Sequence, residues 1–225
     1  MKQKKKIVII NPSGSEEMTQ DIARAARSYA AGRFEVIAIA INGMKKFIDY
    51  EVDIKDALPD MAQIVKDYET EADAFLVSCQ LDPNVEYLRR TCIRPLIGTG
   101  EASIHLAAMM GSKFAIIDED AHAAAFKREL ARRYGMGRYC ACALSTDKEP
   151  GSRQDAYSRA ILRAVKENSA DVIVLGGEGE SELVEDLRFC TNMPVLDGLT
   201  CGLILAEGMA NAEYRRGTGG NLFYR

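Results

Sequence analysis

No apolar run in these 225 residues approaches the ~18 needed to span a bilayer, which argues against a helical membrane span. No apolar segment of signal-peptide length follows Lys2, Lys4, Lys5 and Lys6. That absence predicts a cytoplasmic protein, and the lysines read as a solubilising start to a strand. A dominant charge is lacking too: 29 Lys and Arg stand against 33 Asp and Glu, for a net −4 and a pI near 5.4. Nothing in that balance attracts nucleic acid or an anionic membrane globally. Cysteine is too scarce, six in the chain, for a disulfide scaffold. Cys140 and Cys142 alternate along one predicted strand and are expected to share a face, yet no histidine lies nearby to complete a metal set. Cys92, Cys190 and Cys201 fall on helices or helix ends and read as small core hydrophobes. Gly176-Gly177-Glu178-Gly179-Glu180 lacks the Gly-Lys-Ser/Thr ending of a phosphate loop. A dinucleotide fingerprint would need a third glycine where Glu182 stands.

What is present is a repeat. Ala72-Asp73-Ala74-Phe75-Leu76-Val77-Ser78-Cys79 reads as an apolar strand ending on a thiol, and Ala170–Gly177 is the same strand ending on glycine, 98 residues later. Each copy continues through a helix to a proline, Pro95 or Pro194, and a second short strand. The openings match as well, Lys6–Asn11 against Lys113–Asp118.

Apolar runs of strand length alternate with amphipathic stretches of helical length. The first lobe reads as strands over 6–11, 34–41, 73–79 and 95–98, with helices over 16–31, 54–69 and 83–91. A helix over 101–110 crosses to a second lobe with strands over 113–118, 139–144, 171–176 and 194–196. Its helices fall over 121–134, 153–168 and 180–189, and a last one over 199–209. The expectation is an α/β fold of two pseudo-symmetric lobes, 1–98 plus 199–225 and 99–198. Each is a mostly parallel four-stranded sheet flanked by helices, with the active site in the cleft between them.

Ligands of such sheets bind beyond the carboxyl ends of the strands. That rule selects Asn11–Ser15, Cys79–Pro83, Gly98–Glu101 and Gly176–Ser181, turns whose backbone amides suit carboxylate or carbonyl oxygens. Lysine and arginine are absent from all four, so a neutral ring amide or a substrate gripped by backbone amides fits better than a dianion held by arginines. Asn11, Ser13, Ser15, Gln80, Thr99, Glu101, Gly176, Gly177 and His122 are the expected substrate-binding residues. Ser15 or Ser13 caps the first helix, and Asp82 reads as the cap of the helix after Pro83. Glu101 either caps its own helix or orients a polar group of the substrate. His105, among Ile104, Leu106 and Ala107, reads as a packed or hydrogen-bonded histidine.

These segments resemble the aspartate/glutamate racemase superfamily, and its hydantoin racemase branch most closely, from about Lys6 to Met209. The likeness rests on Asn11-Pro12-Ser13-Gly14-Ser15 with Met18-Thr19, on Cys79-x-x-Asp82-Pro83, and on Pro95–Ala102. Arg133-Tyr134-Gly135-Met136, Asp171–Gly176 and Pro194–Gly198 complete it. The resemblance implies cofactor-independent chemistry at an acidic carbon beside a carbonyl, without a metal, in a homo-oligomer. In two-base members one cysteine removes the α-proton and another returns one to the opposite face, because a single fixed base reprotonates the face it stripped. Thiols suit this work, since a free pKa near ~8.5 can be tuned towards neutrality.

Cys79 matches the first catalytic cysteine, but Gly177 stands in place of the second. Three readings stay open. Glu178 replaces the missing thiol and racemisation or isomerisation of a hydantoin, amino acid or related small substrate survives. Alternatively Cys79 alone protonates an enediolate, as in the superfamily's malonate decarboxylases. In the third, the chain binds a small acid or amide without turnover.

Overall fold

The computed structural model describes residues 4–41, 54–177 and 181–217. It forms two four-stranded α/β sheets. The first contains β1 (Lys6–Asn11), β2 (Glu35–Ala40), β3 (Ala74–Val77) and β4 (Leu96–Gly98) in the order β2-β1-β3-β4. The second contains β5 (Phe114–Asp118), β6 (Cys140–Ser145), β7 (Val172–Leu175) and β8 (Val195–Leu196) in the matching order β6-β5-β7-β8. Strand β1 runs parallel to β2 and β3, and β5 parallel to β6 and β7. The helices are α1 (Glu16–Ala30), α2 (Leu58–Tyr68), α3 (Val85–Thr91), α4 (Thr99–Met110), α5 (Ala121–Arg133), α6 (Arg153–Asn168), α7 (Ser181–Thr191) and α8 (Gly198–Asn211). None among the described residues is long and apolar enough to cross a membrane.

Two compact units result. One comprises 1–78, 83–97 and 203–225, and the other 79–82 and 98–202. In the first, Val8, Ile10, Phe75 and Val77 meet Met61, Val65 and Leu88 in a closed core. In the second, alternate residues of β5 face opposite ways. Ala115 and Ile117 pack with Tyr157 and Ile161, whereas Phe114 and Ile116 pack with Ile104 and Leu130. Burial on both faces is why these strands read as unbroken apolar runs.

The repeat is visible in the hydrogen bonds. Ser78 donates its backbone N–H to the Ile10 carbonyl at 2.9 Å, and Gly176 donates to the Ile117 carbonyl at 2.7 Å. Register gives Ile10 opposite Val77 and Ile117 opposite Leu175. Cys79 and Gly177 are therefore equivalent positions, each one residue past the last bond of its ladder.

Two expectations about cysteines are corrected. Cys140 and Cys142 do not share a face, because they pair with consecutive Phe114 and Ala115 across an irregularity in the ladder. The extra residue breaks the two-residue alternation, so Cys140 enters the core with Phe114 and Cys142 the one with Ala115. Cys190 is exposed rather than core. Helix α4 also starts at Thr99, two residues before the predicted Glu101, for a reason found in the site below.

Candidate active site

The turn after β1 is built from its own side chains. Asn11 is 1% exposed, and its carboxamide oxygen accepts from the Ser13 N–H at 3.1 Å and the Ser13 hydroxyl at 3.0 Å. Its nitrogen donates to Thr19 Oγ1 at 2.9 Å and to the Ser15 carbonyl at 3.4 Å. Both donors and both lone pairs are thus taken within the turn, which Asn11 shapes. Ser15 caps α1, its hydroxyl accepting from the Met18 N–H at 3.2 Å. Glu16 and Glu17 in the first turn complement the helix dipole.

The residues after β3 belong to the second unit because their side chains bond there. Cys79 is buried at the end of the strand. Gln80, next to it, is buried and donates Nε2 to the Leu175 carbonyl at 3.2 Å, which ties the cysteine loop to the end of β7. Gly198 leaves room for that amide, since a Cβ there would lie 2.1 Å from Gln80 Nε2.

Asp82 departs from its expected role. It does not cap α3, whose N-cap position is Asn84, and the Asn84 amide donates to the Ile54 carbonyl at 2.6 Å instead of capping the helix. Its carboxylate instead accepts from the backbone N–H of Gly100 at 2.9 Å and of Glu101 at 2.5 Å, and from the Tyr134 hydroxyl at 2.8 Å. Those are the second and third amides of α4, the ones an N-cap side chain satisfies, and their capture starts the helix at Thr99. Glu101 folds back to accept from the Gly98 N–H at 3.1 Å, a bond that caps its own helix. Burial, then the nearby Glu101 charge, pushes the Asp82 carboxyl up to about 7 against the pull of its hydrogen-bond donors. The amides of Gly98, Gly100 and Glu101, expected to face a ligand, are thus engaged by the chain's own carboxylates. Thr99 is buried as the first residue of α4. His105 bonds the Glu101 carbonyl through Nδ1 at 2.7 Å and packs 5.8 Å from the Tyr134 ring, the bland role expected of it.

The turn after β5 repeats the design with charge added. Asp118 Oδ1 accepts from the Asp120 N–H at 3.2 Å, as Asn11 does from Ser13, and Asp120 caps α5. Its other oxygen pairs with Lys127, whose ammonium also donates to the Gly176 carbonyl. Both side chains are below a tenth exposed. Removing one member of such a pair costs about 3–5 kcal/mol by stranding the other charge. Gly176 is buried, and a Cβ on it would stand 2.4 Å from Asp118 Oδ2. Gly177 is half-buried, and His122 is exposed near the start of α5. Glu178 lies outside the described residues.

Asp118 and Lys127 escaped the sequence reading. The signal was there: Lys127 sits on the buried stripe of α5, between Ala124 and Leu130, where an apolar residue is the rule.

Known proteins share this fold. The Asp/Glu/hydantoin racemase family matches residues 7–206. A hydantoin racemase of Pseudomonas sp. (strain NS671) is 28% identical over 210 residues, covering 90% of this chain and 84% of that protein. An allantoin racemase from Klebsiella pneumoniae superposes with a TM-score of 0.86 at 26% identity, over 98% of this chain and 94% of that one. An arylmalonate decarboxylase aligns at a TM-score of 0.64 and 14% identity over 94% and 95%, a likeness of fold alone. With paired parallel sheets, a thiol ending one repeat and a family match running from β1 into α8, this chain belongs to the Asp/Glu/hydantoin racemase family of enzymes.

Proposed function

We propose that the protein racemises or isomerises a small substrate at an acidic carbon beside a carbonyl, a hydantoin-type cyclic amide above all, with Cys79 as an acid/base. The observation that carries this reading is the position of Cys79, one residue past the β1–β3 ladder, in a loop held by Gln80 and Asp82. The other buried thiols are poor proton carriers near neutral pH. Burial pushes Cys92 and Cys140 up to about 11, Cys201 to about 12, and Cys142 upward. In this reading Glu178 serves the second face in place of a thiol. Ser13, Thr99 and Gln80 in this reading offer neutral polar groups to a neutral substrate, as does His122, exposed near the start of α5. The working form is a homo-oligomer, and light scattering that finds a monomer at micromolar concentration removes that part.

Incubation in deuterium oxide with a panel of hydantoins, amino acids and malonates tests the reaction. Deuterium entering the α-position of both enantiomers supports racemisation. Exchange with retention means a single base, carbon dioxide release means decarboxylation, and inertness to the whole panel means a binding protein.

A further inference from the structure

We propose that Lys127, paired with Asp118, is a positioning residue of this enzyme. It holds the Gly176 carbonyl and thereby aims and polarises the peptide joining Gly176 to Gly177. The proposal rests on the racemase reading for its kinetic consequence but not for its structural one.

Location is the first argument. The second sheet has the order β6-β5-β7-β8, so the chain reverses direction of winding between β5 and β7. The crevice beyond the carboxyl ends at such a switch point is where ligands of open α/β sheets bind. Asp118 ends β5, and Gly176 follows Leu175 at the end of β7. Lys127 joins them, one ammonium bonded to both.

Chemistry is the second. A buried ion pair is a poor stabiliser compared with apolar residues of similar volume. The stripe of α5 that carries Lys127 is otherwise apolar at Ala124, Leu130 and Ala131, so packing gives no reason for an ammonium there. The Gly176 carbonyl does. Charge-assisted bonds to a carbonyl draw electron density from the amide and strengthen the donor on its other side. The peptide is planar and trans, so with its oxygen on Lys127 the N–H of Gly177 points away from the Asp118–Lys127 pair. That N–H belongs to the residue equivalent to Cys79. By fixing that peptide plane, Lys127 sets where the residue equivalent to Cys79 stands.

The absence of a side chain at Gly176 is the third, since any Cβ would displace the Asp118 carboxylate from Lys127.

The test compares wild type with the double variant Asp118→Asn/Lys127→Met in the full chain. Removing both charges together keeps the turn acceptor of residue 118 and the stem of residue 127. The expected result is a melting temperature close to wild type, faster amide exchange confined to residues 174–177, and kcat for α-proton exchange on hydantoins lowered roughly tenfold to a hundredfold with KM little changed. Lys127→Arg, which retains a charged donor, is expected to recover part of kcat. A folded double variant with wild-type kcat, or with unchanged exchange at 174–177, overturns the proposal. If the double variant does not fold, Asp118→Asn/Lys127→Gln takes its place, a neutral N–H donor with no charge left stranded, expected to keep the turn protected while lowering kcat; unchanged kcat there also overturns it. If wild type turns over nothing in the panel, the racemase reading fails by itself, and amide exchange at 174–177 alone decides whether the pair anchors the turn.

Discussion

The Asp82 carboxylate accepts the Gly100 backbone N–H at 2.9 Å, so a residue three positions after Cys79 caps a helix that starts 17 residues later. Cys79 is therefore fixed by the same contact that fixes the start of α4.

That contact has a pH signature. The Asp82 carboxyl is raised to about 7, by burial first and by Glu101 second. An acid whose pKa is higher folded than unfolded stabilises the fold below its ordinary range, and the contribution is lost as pH climbs through about 7. The urea midpoint of wild type is expected to be higher at pH 6 than at pH 8. Asp82→Asn is expected to flatten that slope, and a slope that persists in this variant assigns it to another group.

Cys79→Ser is expected to lower α-proton exchange by about two orders of magnitude or more, with the urea midpoint near wild type because the site is a strand end. Cys201→Ala is the contrast. It removes a fully buried sulfur from α8 and is expected to cost about 1–3 kcal/mol while leaving activity per folded molecule intact. Equal loss of activity per folded molecule in both would unseat Cys79.

Two glycines separate packing from conformation. At Gly208 in α8 a Cβ would meet nothing within 4 Å, so Gly208→Ala is expected to raise stability by about 0.5–1 kcal/mol through helix propensity. At Gly176 a Cβ would meet Asp118 Oδ2. Gly176→Ala is expected to lower stability by about 1–3 kcal/mol through overpacking, and activity with it. Thermal melts of the two variants side by side read both signs.

The equivalence of Cys79 and Gly177 gives a gain-of-function experiment. Gly177→Cys is expected to raise racemisation of hydantoins, with deuterium entering both enantiomers. Glu178→Gln is expected to lower the wild-type rate if the glutamate serves the second face. A folded Gly177→Cys protein with unchanged rate and stereochemistry would show that Gly177 does not face the reacting carbon.

Local periodicity determined most of the architecture. Unbroken apolar runs such as Ile7–Ile10 and Val172–Leu175 can be buried on both faces only in parallel sheets under helices. The 98-residue repeat alone aligned Ser78 with Gly176, and both donate to the neighbouring strand in the same way. Tertiary structure decided what those patterns do not encode. A carboxylate before a proline reads as a local cap, but Asp82 found the amides of α4 and the Tyr134 hydroxyl because folding brought them within 3 Å. The ladder irregularity at Phe114 and Ala115 turned Cys140 and Cys142 to opposite cores, which alternation by itself could not foretell. Lys127 carried a visible oddity, a charge on an apolar stripe. Its reason, the Asp118 carboxylate and the Gly176 carbonyl, lies 9 and 49 residues away. Burial is written in spacing along the chain, whereas the partner of a buried charge is chosen by what the fold sets beside it.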